Sequence, residues 1–266
     1  MVAALMFGLR ARTLAGRGTP VPKWRIAAFA AAVVLFAGAL SPPLESRAEE
    51  LFSFHMIQHV VIGDLAPLLF VLGLTGPLLR PLLALRPIAA LRPLAHPLVA
   101  LPLWTLNLCV WHVPFLYEGA VRNDAVHALE HISFFTAGSL MWAAVVEVLP
   151  GPAWFGTAAK LGYVVAVRLL ETVLGNIFIW TGGPIYRVYD DGSELYGLSP
   201  LRDQGLAGTI MMIEGSLVTI GAIAWLFLRW GAESELRQQL IEQGVDAGAA
   251  ARAVRYGRGE ELSRQR

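Results

Sequence analysis

Residues 51–74 read Leu-Phe-Ser-Phe-His-Met-Ile-Gln-His-Val-Val-Ile-Gly-Asp-Leu-Ala-Pro-Leu-Leu-Phe-Val-Leu-Gly-Leu. Crossing the hydrocarbon core of a bilayer takes about 20 mostly apolar residues at about 1.5 Å per residue, and this stretch is long enough. It also carries His55, Gln58, His59 and Asp64, which lipid does not solvate. Such a segment is expected to be a membrane helix whose polar face turns toward other helices.

Working outward, five more stretches have the same length and character: 24–41, 97–116, 125–149, 161–181 and 206–230. The whole chain agrees, being 56% hydrophobic and 15% charged, where soluble domains average roughly 45–50% and 25%. The expected fold is an all-α polytopic transmembrane helical bundle with six spans over residues 24–230, embedded in the lipid bilayer. Residues 1–23 precede it. Their opening, Met1 to Leu9, is apolar but too short to span, and so is a surface anchor or the remnant of a truncated seventh helix. Residues 231–266 turn polar, with Leu236, Leu240, Ile241 and Val245 at near-helical spacing, as in a solvated helix with a frayed end.

Charge excludes some functions and sets the topology. With 21 basic and 20 acidic residues the net charge is +1, so the chain offers no field for nucleic acid. One cysteine, Cys109, rules out an intrachain disulfide and Cys-rich metal motifs. Arg10, Arg12, Arg17, Lys23 and Arg25 precede the first span, and Arg80, Arg86 and Arg92 lie between the second and third. The tail carries Arg237, Arg252, Arg255, Arg258, Arg264 and Arg266. The alternate loops hold Glu45, Glu49 and Glu50, then Glu118 and Asp124, then Asp190, Asp191, Glu194 and Asp203. Cationic loops stay inside, which predicts that both termini are cytoplasmic.

The histidines then fall into a pattern. His55 and His59 are four apart near the start of the second span, His127 and His131 repeat that spacing in the fourth, and His112 closes the third. Residues at i and i+4 share a helix face, so five imidazoles from three helices are expected in one outer layer. His96, on a cytoplasmic loop, is given no function. Ionisable groups inside a membrane line an interior or a cavity, and converging imidazoles point to a metal. Imidazole favours copper, and soft sulfur ligands select its cuprous state. Met211 and Met212 lie at the same depth and are candidate ligands, while Met56 points away from the His55 and His59 face. Cys109, three residues before His112, is either a soft partner for it or a small buried apolar side chain. Glu130, Asp203 and Gln204 are candidate acceptors that would orient metal-bound rings. The spans also hold Asp64, Glu147, Arg168, Glu171 and Glu214, of which Arg168 and Glu171 are spaced to neutralise each other.

His55-Met-Ile-Gln-His59, Trp111-His112-Val-Pro114, His127-Ala-Leu-Glu-His131 and Leu198-Ser-Pro-Leu-Arg-Asp203-Gln204-Gly-Leu-Ala-Gly208 together resemble the CtaG family of caa3-type cytochrome c oxidase assembly proteins. The resemblance covers roughly residues 24 to 230. It implies a multi-pass protein of the bacterial cytoplasmic (inner) membrane that helps mature a haem-copper oxidase, with copper handling as its role. The expected activity is not enzymatic: copper is captured at the outer face on His55, His59, His112, His127 and His131, then passed to an oxidase subunit. Relatives often carry a further N-terminal helix, and a Trp and a Pro near the positions of Met212 and Glu214. The first departure marks Met1 to Leu9 as a truncated span, and the second weakens a ligand role for Met212. Three alternatives stay open. One is a bis-histidine haem-binding membrane cytochrome. Another is a small-solute or ion transporter working through Asp64, Arg168, Glu171 and Glu214. The third is a scaffold that binds no metal.

Overall fold

The computed structural model describes residues 2–255, 257 and 259. Among them the chain is helical, without strands. A first helix, α1 (Val2–Gly16), lies against α2 (Lys23–Ala39), and α3 (Pro42–Glu50) follows after a bend. The second span is α4 (Phe52–Val60), a π-helical turn (Val61–Leu65) and α5 (Ala66–Gly73). Two short helices, α6 (Gly76–Leu83) and α7 (Arg86–Ala90), lead to α8 (Pro97–Trp111) and α9 (Pro114–Val121). The chain ends with α10 (Asp124–Val146), α11 (Thr157–Trp180), α12 (Asp190–Leu195), α13 (Pro200–Glu242) and α14 (Ala247–Arg255).

Four segments are continuous and apolar enough to cross a membrane: Phe52–Gly73, Asp124–Val146, Thr157–Trp180 and Pro200–Glu242. The bent pairs α2 with α3, at 51°, and α8 with α9, at 74°, bring the total to six. The stretch 97–116 is therefore not one straight span. Pro114 cannot continue the hydrogen-bond ladder, and it drives Val113 into an extended conformation (φ −67°, ψ 126°). The chain turns there, placing His112 at the corner.

The second span is the most enclosed of the four continuous ones and packs against α2, α10 and α13. α13 is peripheral, and its outer face presents Ile213, Leu217, Ile220, Phe227 and Leu228, the apolar surface a membrane bundle turns to lipid. The contact between the second span and α10 is set by Pro67 and two glycines. Pro67 has no N–H for the Gly63 carbonyl, and a wide π turn, a feature common at functional sites, absorbs the defect. That carbonyl instead meets Gly138 on α10, where a Cβ would fall inside its van der Waals radius. Close backbone approach here aligns the two helices that carry the paired histidines.

Loops alternate between the two ends of the bundle. At one end Arg10 reaches the Pro77 carbonyl (3.1 Å), His96 lies 6.1 Å from Trp154, and Arg255 reaches the Ala153 carbonyl (2.6 Å). At the other, Tyr196 donates to Glu50 (2.6 Å) and the Arg187 backbone N–H to Glu118 (2.9 Å). The first end holds the arginine-rich segments, apart from Arg258, Arg264 and Arg266, which with Met1 lie outside the described residues.

The apolar opening is part of the 15-residue helix α1. The position after Trp230 falls within α13, which runs on to Glu242 before α14 folds back onto the bundle. Glu147, expected inside a span, instead sits just past α10 with left-handed backbone (φ 59°). It binds Lys160 Nζ (2.7 Å) and Arg255 Nη2 (3.0 Å), so it clamps the returning tail. Burial pushes the Glu147 carboxyl up, but these two cations outweigh it and hold the group below its ordinary value.

Two outcomes follow. Gly138→Ala forces α10 away from the Gly63 carbonyl and destabilises the bundle by about 1–3 kcal/mol, read as a lowered midpoint in a detergent unfolding titration; an unchanged midpoint contradicts the close approach. Because folding lowers the Glu147 value, its contribution is complete above the ordinary value of 4.5 and is lost as pH falls through the folded one. Protection factors of the α14 amides, measured against intrinsic exchange at the same pH, therefore fall on acidification, and Glu147→Gln reproduces the loss at neutral pH; protection that ignores both changes would sink the clamp.

Candidate metal centre

The start of α4 is fixed from α13. Asp203 accepts hydrogen bonds from the backbone N–H groups of Phe52 (2.7 Å) and Ser53 (3.1 Å), capping α4 one turn before His55. Asn123 caps α10 through the N–H groups of Ala125 and Val126, again one turn before a histidine, His127. Both pairs thus start at matched heights on neighbouring helices and face each other. Ring centroids are 4.3 Å apart for His55 and His59, 4.1 Å for His127 and His131, and across the interface 5.1 Å for His55 and His127 and 5.4 Å for His59 and His131.

Carboxylates border this layer. Glu130, one helical turn beyond His127, brings Oε1 to 3.7 Å from His59 Nε2, and Glu45 brings Oε1 to 3.6 Å from His127 Nδ1. One ligand atom from each of His55, His59, His127 and Glu130 lies within 4.8 Å of the others. His55 is 1% exposed and Glu130 1%, and neither side chain has a hydrogen-bond partner among the described residues. The same holds for both ring nitrogens of His59 and for Nε2 of His127 and His131. Leaving such groups unsatisfied costs about 1–3 kcal/mol each, so a converging set of this kind fits a bound cation. Its donors, imidazoles with one carboxylate, suit a transition metal.

An aromatic wall encloses the layer. Tyr117 stacks on Tyr186 (3.9 Å), shares a hydrogen bond with Tyr189 (3.1 Å between hydroxyls) and lies 5.0 Å from His55. Phe52 packs edge-on against Tyr117, Phe178 and Tyr186. Tyr186 and Tyr189 come from the connection between α11 and α12, so this loop caps the site. Burial pushes both phenols up, leaving them neutral. The sequence reading missed this wall. Its sequence signal is two tyrosines three apart in the connection 181–189.

The remaining expected residues divide. His112 is buried at the α8 corner but has no other imidazole in ring contact; its Nδ1 lies 2.7 Å from the Leu108 carbonyl. Met211 is buried and lines a small cavity with His59 and His112. Met212, one residue on, is rotated toward α11, where its sulfur meets Arg168 Nη2 (3.6 Å) and Asn176 Nδ2 (3.9 Å). Cys109 is exposed on the outside of α8, because Trp104, Leu108 and Trp111 take the inward face; it neither fills the core nor pairs with His112. Asp203 and Gln204 do not orient imidazoles. Asp203 caps α4, and Gln204 holds the capping loop through the Ile185 N–H (2.7 Å) and the Phe178 carbonyl (3.2 Å). Met56 packs among Phe52, Tyr117 and Phe178, as its helical phase predicts.

Residues 4–233 match the family described as cytochrome c oxidase caa3 assembly factor (Caa3_CtaG). Among curated proteins, the chain is 24% identical over 255 residues to an uncharacterized protein of Mycobacterium bovis, Mb0105, covering 88% of this chain and 38% of that protein. An uncharacterized protein of Mycobacterium leprae, ML1998, is 24% identical over 235 residues, covering 81% of this chain and 35% of that protein. The chain thus spans well under half the length of these relatives. No solved structure matches it. The matched region takes in every helix from α2 to α12, both histidine pairs and most of α13, and the chain belongs to the caa3-type cytochrome c oxidase assembly factor family.

Proposed function

We propose that this assembly factor captures a copper ion on His55, His59, His127 and Glu130, with His131 adjacent, and passes it to a subunit of a haem-copper oxidase. What supports this is the convergence of buried imidazole nitrogens that have no hydrogen-bond partner among the described residues, beside a carboxylate in the same state. A cargo site needs neutral imidazoles and a face on which an incoming ligand can displace an outgoing one. His127 and Glu45 lie toward the loop end of the layer, where Glu45 is 32% exposed, and this is the side from which exchange is expected. In this view the protein does no chemistry on a substrate. It sits in the cytoplasmic membrane with both termini inside, so that the arginine-rich end faces the cytoplasm and the site faces out. A bis-histidine haem fits poorly, because rings packed 4.1–5.4 Å apart leave no slot for a macrocycle.

Metal analysis of protein purified after copper exposure tests this against a variant with His55→Ala, His59→Ala, His127→Ala and His131→Ala. Wild type is expected to retain copper and the variant none; equal copper in both would remove the proposal. In the milder Glu130→Gln protein, copper affinity is expected to fall by about 10- to 100-fold. Cells carrying either variant should assemble oxidase subunits that lack copper, whereas missing subunits would favour a metal-free scaffold.

A further inference from the structure

Further along the second span, the bundle interior holds three carboxyl groups, Asp64 on the π turn, Glu171 on α11 and Glu214 on α13. Trp142 on α10 donates its indole N–H to Asp64. Arg168 lies 3.8 Å from Glu171 and directs Nη2 to the Met212 carbonyl (2.8 Å) and the Ser216 hydroxyl (2.9 Å). Against one guanidinium, three ionised carboxylates leave two uncompensated negative charges in an apolar bundle, a state whose desolvation is prohibitive. Neutralising the cluster beside that guanidinium therefore takes two protons, and Asp64, Glu171 and Glu214 line one cavity.

A cavity of about 40 Å³ joins this cluster to His59 on α4 and His112 at the α8 corner. A water needs roughly 10–15 Å³ and polar partners, so the space is large enough to take one. His112 is 9% exposed, and with Nδ1 donating to Leu108 its Nε2 is a buried acceptor on the cavity wall without a partner among the described residues.

We propose that this cavity is a proton-holding site, with two protons distributed over Asp64, Glu171 and Glu214 and exchanging toward the histidine end through water and His112 Nε2. The site requires no metal and stands independently of the copper proposal. The groups facing it are His59, His112, Arg168, Glu171 and Trp142.

Infrared difference spectra of the full-length protein, recorded on transfer to D2O at neutral pH, test this. A carbonyl stretch from protonated carboxyls is expected to shift on deuteration in wild type, to weaken in Asp64→Asn and in Glu214→Gln, and to vanish in the double variant, where Glu171 alone faces Arg168. His112→Phe is expected to keep the band but slow its exchange roughly hundredfold, the low end of what one positioned proton-transfer group contributes. Absence of the band in wild type, or its survival undiminished in the double variant, would overturn the held protons. Unchanged exchange in His112→Phe would overturn the route. The four-histidine alanine variant is expected to keep the band, so failure of the copper site and failure of this one are separately visible.

Discussion

The structure depends on one physical constraint: polar groups inside a membrane bundle must be satisfied by something other than water. Most of them here are. Gln58 binds the Ala39 carbonyl and Glu45, Asp64 takes the Trp142 indole, and Asp203 takes two backbone N–H groups. The largest group of exceptions lies between α4 and α10, where His55, His59, His127, His131 and Glu130 present buried atoms to one another. Such a convergence on one point argues for a function rather than for packing.

The surrounding fold holds these groups in place. Close approach at Gly63 and Gly138 sets the separation of the two histidine-bearing helices, and the caps from Asp203 and Asn123 set their heights. The aromatic layer of Phe52, Tyr117, Tyr186 and Tyr189 covers the layer beside His55. Glu45 reaches His127 from α3 and lies at the exposed edge of the layer. A site that is rigid at its base and bordered by an accessible acid is suited to exchanging a cation.

Much of this was legible in the sequence. Span length and apolarity identify the crossing helices, and the spacing of 55 with 59 and of 127 with 131 places each pair on one face whatever the neighbours are. Features fixed by packing were not legible. Met211 and Met212 differ by about 100° around α13, and only contact with α11 decides that Met212 turns to Arg168 and Asn176. Cys109 was open to either assignment until Trp104, Leu108 and Trp111 claimed the inner face of α8. Asp203 sits in a motif that invites a role beside the imidazoles, yet a carboxylate is as well used at a helix N-terminus, and its partners lie 150 residues away in sequence. The return of α14 onto Glu147 is equally long-range, and a polar tail gives no sign of it.

X-ray absorption spectroscopy at the copper edge, on the copper-loaded protein, bears most directly on the histidine layer. A first shell of nitrogen and oxygen with the multiple-scattering pattern of several imidazoles is the result expected from the positions of His55, His59, His127 and Glu130. A shell dominated by sulfur, or one without imidazole scattering, would contradict it.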